Sequence, residues 1–229
     1  VEYPMTTHFT PNEHTGPVSK STPNSFTPRT LQVDPASMWR ELCWVTPNIA
    51  LTGDLDLSAR WRAEAQLEAW LDAGITDIID VREERNDSRF VARYAPSLRY
   101  HWFGTHDCGS RQSDDWFEAG VHAAQSALCD PNRKVVIHCH MGVNRGPSMG
   151  YAVLLSLGVE SIEALEMISA ARPIAGILYA GDAIDWWHRT QETPETVAFR
   201  DRRRVRDWMR ARTLDVSWII SRIARSEAS

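Results

Sequence analysis

The sequence predicts an α/β domain with a central, mostly parallel sheet flanked by helices, and a helical extension at its C-terminus. Three observations carry that expectation. Short apolar runs of strand length, such as ITDIIDV and KVVIHC, alternate with longer segments of helical spacing. Glycine or proline punctuates the ends of several segments. The 229 residues are 43% hydrophobic, which suits one sizeable core with appendages.

The elements follow in order. Residues 1–35 hold six of the twelve prolines and seven threonines, without apolar periodicity, and read as a flexible arm. NIALTGD reads as a strand and turn. SARWRAEAQLEAWLDAG reads as a helix capped by Ser58 and ended by Gly74, with Trp61, Leu67 and Trp70 near helical spacing. ITDIIDV and LRYHWF are strands, and GTHDCGSRQSDD is a polar loop. The next helix carries Asp114 and Asp115 in its first turn, where the helix dipole favours acids. KVVIHC is a buried strand, and the apolar helix after it tolerates Pro147 in its first turn. ESIEALEMISAARP is a helix stopped by Pro173. GDAIDWWHRTQ is another, with Trp186 and Trp187 as core aromatics. These segments place one catalytic-sized domain over residues 36–191. Residues 192–229 form an Arg-rich helical extension, with nine arginines against three acids between positions 200 and 225. Its Trp208, Ile219 and Ile220 are expected to pack on the domain.

Composition excludes some classes. A net charge of -5 gives no global attraction to nucleic acid. Cys43, Cys108, Cys129 and Cys139 form no CxxC pair, which points to a reducing, cytoplasmic setting. No apolar stretch reaches membrane-spanning length. Nothing in the sequence fixes the oligomeric state.

The chemistry concentrates in KVVIHCHMGVNRGPSMG, residues 134–150. His138, Cys139 and His140 are consecutive, so on extended backbone they point to opposite sides and make poor joint ligands. No second ligand cluster is evident, so no metal is expected. A buried structural cysteine is a sufficient account of Cys43 and Cys129. It leaves unexplained why Arg145 stands six positions after Cys139, where a helix begins. An anion pocket uses every piece. The loop His140, Met141, Gly142, Val143, Asn144, Arg145 turns its backbone N–H groups into one concavity at a helix N-terminus. Gly142 lets the chain curl, and Arg145 grips two oxygens with its planar fork. The same dipoles are expected to lower the Cys139 pKa and make a thiolate nucleophile.

HCHMGVNR resembles the H-C-x-x-G-x-x-R signature of cysteine-dependent protein phosphatases. Over about residues 44–190 the chain is similar to their compact dual-specificity type: NIALTGD, GITDIIDV and ARPIAGI fall where that family has its first strand, a later strand and its final helical region. The resemblance implies a phosphoric monoester hydrolase acting on phosphotyrosine and on phosphoserine or phosphothreonine. Cys139 would carry a cysteinyl-phosphate and Arg145 would bind phosphate. Cleavage also needs a proton for the leaving oxygen. Asp107, in a loop after a strand and upstream of Cys139, is the expected acid. His138 is expected to orient the loop by hydrogen bonding. No cofactor is implied, and the partner is a phosphorylated protein or another phosphomonoester.

Two positions depart from the family pattern. Gly146 stands where a serine or threonine usually follows the arginine, so phosphoenzyme breakdown is expected to be slow. Ser148 is the nearby candidate for support. The pair Asn144–Arg145 resembles RNA 5′-triphosphatases. That activity, a phosphoinositide or small-molecule phosphatase, and a phosphate-binding pseudophosphatase are the alternatives. Cys108, beside Asp107, reads as a bystander.

Overall fold

Short β-branched runs build the sheet, and the structure, a computed structural model, describes residues 33–228. The arm expected over 1–35 lies almost wholly outside the described residues. The strands are β1 (Cys43–Thr46), β2 (Ile49–Thr52), β3 (Asp77–Arg82), β4 (Arg99–Thr105) and β5 (Val135–His138). Their order across the sheet is β1-β2-β5-β3-β4. Among the described residues only the β1–β2 pair is antiparallel; β5 runs parallel between β2 and β3. His138 stands level with Thr52 and Asp80, so the chain leaves the sheet centre at the C-terminal end of its middle strand. In open α/β sheets that end is where ligands bind.

The helices are α1 (Pro35–Met38), α2 (Arg60–Asp72), α3 (Ser88–Tyr94), α4 (Asp114–Leu128), α5 (Arg145–Ser156), α6 (Ser161–Ala171), α7 (Ala180–Thr190), α8 (Glu195–Ala211) and α9 (Val216–Glu227). Strand alternation sorts the core into two layers. Val135 and Ile137 join Phe117 of α4, Met149 of α5 and Ile184 of α7 on one face. Val136 joins Leu67 and Trp70 of α2 on the other. The same alternation sends His138 toward Trp70, with ring centroids 5.9 Å apart, and Cys139 into the α5 layer. Gly120 gives the Met149 side chain room across the α4–α5 contact, where a Cβ would press on its terminal atoms.

Several local expectations change. Ser58 does not cap α2: Ala59 holds the N-cap position, and the Ser58 hydroxyl donates to Asp56 Oδ1 at 2.5 Å. A short-range partner two residues away outcompeted the cap. Cys129 is exposed rather than buried, because it follows the last turn of α4. Trp186 is buried and stacks on Phe117, with centroids 5.8 Å apart. The Arg-rich segment forms two helices, α8 and α9. Val205 enters the main core, and Ile219 and Ile223 pack with Val143 and Ile174. Ile220 faces outward instead, since it lies off the stripe made by Ile219 and Ile223. Among the described residues no helix is long and apolar enough to cross a membrane.

Candidate active site

The loop from Cys139 to Arg145 is shaped by what holds its carbonyls. His140 O accepts from Asp54 N at 2.8 Å. Met141 O and Gly142 O accept from the Arg172 guanidinium at 3.2 and 2.6 Å. Val143 O accepts from Gly176 N at 2.6 Å. In a trans peptide the C=O and the following N–H point in opposite directions. Four carbonyls tied outward therefore aim the N–H groups of residues 141–144 inward, over Cys139. Gly142 sits at φ 61°, and a Cβ there would lie 2.5 Å from Thr52 O. Only glycine fits the curl.

Cys139 is 2% exposed at the floor of this cup. Burial pushes its thiol pKa up, while the Arg145 charge and the N–H groups of Gly146 and Gly142 pull against that rise. Burial prevails, contrary to the lowered value expected from the sequence. Part of the reason is the company Arg145 keeps. It is buried at the start of α5, and its two terminal nitrogens donate to Glu84 at 2.7 and 2.6 Å. Nη1 also donates to Thr105 O at 2.9 Å. Its Nε lies 3.3 Å from Asp107 Oδ2 and has no hydrogen bond among the described residues. Burial works to raise the pKa of Glu84 too, but the Arg145 hydrogen bonds and charge hold it down at about 2.

Asp107 arrives from the loop after β4. Its Oδ1 accepts from Asn144 Nδ2 at 2.6 Å and from the Tyr179 hydroxyl at 2.9 Å. Asn144 Oδ1 in turn accepts from Leu178 N at 2.7 Å and from the Ser148 hydroxyl at 3.3 Å. Ser148 also accepts from Tyr179 N at 3.2 Å. Ser148 thus braces Asn144 and the Tyr179 segment and does not supply a hydroxyl to Cys139. Asn144, singled out for its resemblance to another activity, serves here as the bridge between loop and acid.

His138 departs from its expected role. Neither ring nitrogen has a hydrogen-bond partner among the described residues, and Nε2 stands 3.8 Å from Asp80 Oδ2. Burial lowers its pKa and favours the neutral ring, so it packs beneath the loop and does not tether it. His140 faces another way, with Nε2 3.1 Å from Glu227 of α9. The two histidines are not joint ligands. Cys108 is exposed and 3.0 Å from the Ser110 hydroxyl, outside the cup.

Sequence reasoning missed three contributors. Glu84 follows β3, Arg172 follows α6, and Tyr179 precedes α7; each reaches the loop from 30 or more positions away. A third buried arginine beside Arg145 and Arg172, Arg82, supports the rim. It meets Asp54 and Asp80 at 3.0 Å each and also pairs with Asp87. This cluster fixes the β2–α2 segment whose Asp54 N–H holds His140 O.

No protein-family model matches the chain. Solved structures do. Human DUSP28 is 19% identical with a TM-score of 0.55, covering 67% of this chain and 98% of that one. A mouse putative dual specificity phosphatase, complexed with zinc tungstate, is 21% identical with a TM-score of 0.54, over 66% of this chain and 89% of that one. PTPMT1 in complex with PI(5)P is 18% identical with a TM-score of 0.50, over 66% and 99%. At these identities the likeness speaks to architecture alone: the chain has the fold seen in the dual-specificity phosphatases.

Proposed function

We propose that this chain is a cysteine-dependent phosphomonoester hydrolase working through a cysteinyl-phosphate. The observation that supports it most is the cup of inward N–H groups over Cys139, with Arg145 and Asp107 at its edge. In the first step the Cys139 thiolate attacks phosphorus. The ester P–O bond breaks, and the leaving oxygen takes a proton from Asp107. The N–H groups of the loop and Arg145 offset charge on the phosphoryl oxygens. In the second step water attacks the S–P bond, Asp107 accepts the water proton, and the Cys139 thiolate leaves. Phosphotyrosine, phosphoserine and phosphothreonine fit this chemistry, as do smaller esters.

Two alternatives lose their motivation. The RNA 5′-triphosphatase reading drew on Asn144 and the basic tail. Asn144 is engaged with Asp107, and two of the α8 arginines are paired away: Arg202 with Asp185 at 2.5 Å and Arg204 with Glu160 at 2.5 Å. The pseudophosphatase reading would fit a site lacking nucleophile or acid, and this cup has both. The test is hydrolysis of p-nitrophenyl phosphate by the full chain. Wild type releases nitrophenolate and Cys139→Ser does not. Equal activity in the two proteins refutes the proposal.

A further inference from the structure

A groove of about 850 Å³ opens beside the cup and shares Glu84 and His140 with it. Its walls come from α1, the β2–α2 segment, the turn after β3 and the last turn of α9. The α9 wall belongs to the C-terminal part of the chain, and about a third of the chain falls outside the match to human DUSP28. Glu227 of α9 contacts His140, the residue directly after the nucleophile. The groove adjoins the cup through Glu84, which holds Arg145, and His140, which follows Cys139, so a leaving group that reaches past Glu84 would meet it.

The lining says what kind of leaving group suits. Ligand pockets are usually mostly apolar with a few polar groups. Here charged residues dominate, and most are already neutralised. Arg40 pairs with Asp54 at 3.0 Å and Asp56 at 3.2 Å, Arg62 approaches Asp56 at 3.4 Å, and Glu84 holds Arg145. A second anionic group would have to break these pairs. A phenyl ring would find little beyond Leu57 and the edge of Trp39. Vicinal hydroxyls fit better, because each both donates and accepts. Carboxylates of Asp56, Glu84 and Glu227 can accept from them. Arg62, about half exposed, and Arg85, without a partner among the described residues, can donate to them. Hydroxyls of Ser37, Ser58 and Ser226 complete the polar wall.

From this lining we infer that the groove is a polyol subsite, so that the substrate is the phosphomonoester of a sugar or cyclitol, free or as a lipid headgroup. The inference rests on the phosphatase reading above and narrows it. The hydrolysis is the same two-step reaction with an alkoxide as leaving group. An alkoxide departs less readily than nitrophenolate, so its departure leans harder on the Asp107 proton.

The test uses the full chain with p-nitrophenyl phosphate, a phosphotyrosine peptide, myo-inositol 1-phosphate, glucose 6-phosphate and a short-chain phosphatidylinositol phosphate. At least one polyol ester should exceed the peptide in kcat/KM, and soluble against lipid forms separate the two sources. In Arg62→Ala and Ser226→Trp the ratio of polyol ester to p-nitrophenyl phosphate should fall by roughly tenfold, the size of a lost hydrogen bond or two. Circular dichroism checks that both variants fold. Hydrolysis of p-nitrophenyl phosphate with no polyol turnover, or with an unchanged ratio, overturns the subsite and leaves the phosphatase reading standing. Titration calorimetry of myo-inositol 1-phosphate into Cys139→Ser, with and without Arg62→Ala, reads the subsite independently of turnover. Binding weakened by Arg62→Ala in a chain that hydrolyses nothing keeps the subsite and refutes the phosphatase. Binding that is absent, or indifferent to Arg62→Ala for every polyol ester, overturns the subsite.

Discussion

Under the proposed mechanism Gly146 should set how fast a cysteinyl-phosphate breaks down, and a pair of substitutions isolates its effect. There the Cys139 thiolate leaving phosphorus would be met by backbone N–H groups, those of Gly146 and Gly142 among them, and by no side-chain hydroxyl among the described residues. A Cβ at position 146 would stand 3.2 Å from Cys139 N and 3.3 Å from His138 C. That is a few tenths of an ångström too close, so the first turn of α5 must yield at a cost of about 1 kcal/mol. Replacing glycine inside a helix returns up to ~1 kcal/mol, so Gly146→Ala and Gly146→Ser should both fold near wild-type stability. Only serine adds a donor. One hydrogen bond to a charged sulfur is worth about 1.5 kcal/mol, or roughly tenfold in the rate of the second step. Stopped-flow release of nitrophenolate measures both steps. Wild type should show a burst approaching the enzyme concentration, then a slow steady rate. Gly146→Ser should raise the steady rate by roughly tenfold and shrink the burst, while Gly146→Ala should do neither. Equal steady rates in the two variants, or no burst in wild type, would refute the reasoning.

Other outcomes follow from the same geometry. Arg172→Met removes the donors to Trp39 O, Gly142 O and Met141 O, at about 1 kcal/mol for each stranded carbonyl. Urea unfolding should show a loss of about 3 kcal/mol and kcat should fall by about 10²; a loss under ~1 kcal/mol with unchanged kcat contradicts the strap. Asp107→Asn should lower kcat/KM for a phosphotyrosine peptide by about 10² to 10³, read from initial rates; an unchanged kcat/KM counts against the acid role. Glu84, with its pKa lowered to about 2, supports the fold fully above its unfolded value near 4.5 and loses that support as pH falls toward 2. Acid unfolding of Glu84→Gln should therefore be less steep than wild type across that window. The same variant removes one of the two carboxylates beside Arg145, so iodoacetamide should alkylate Cys139 faster at pH 6.5; a slower reaction counts against the coupling.

The parts of this site legible in the sequence are those that local chain geometry decides. A strand, a glycine curl and a helix start follow one another within residues 134–156, so the cup could be read without knowing what surrounds it. Asp107 was legible because it sits on the loop leaving a strand, β4, and precedes Cys139 by one helix and one strand. Glu84, Arg172 and Tyr179 were not. Each looks like an ordinary solvated or capping residue in its own segment, and only the packing of distant elements turns it to the loop. The sequence also misjudged balance. It counted the dipoles and Arg145 acting on Cys139, but not the depth of burial or the two carboxylates that share the arginine. Ser148 and Asn144 were seen as chemistry and proved to be bracing, because a hydroxyl and an amide near a nucleophile look alike whichever way they point.

The outward-tied carbonyls have a consequence for assembly. Arg172 reaches Trp39 O across 133 positions and Gly142 O across 30. Val143 O waits for Gly176, and the acid's bridge waits for Tyr179. Contacts of such sequence separation form late, after the loops between them close. The cup is then a keystone, and the earlier strands and helices are its unlocked arch. Refolding should recover helical signal before phosphate-cleaving activity. A fragment that stops short of Arg172, or begins after Trp39, should hold a sheet yet no working cup.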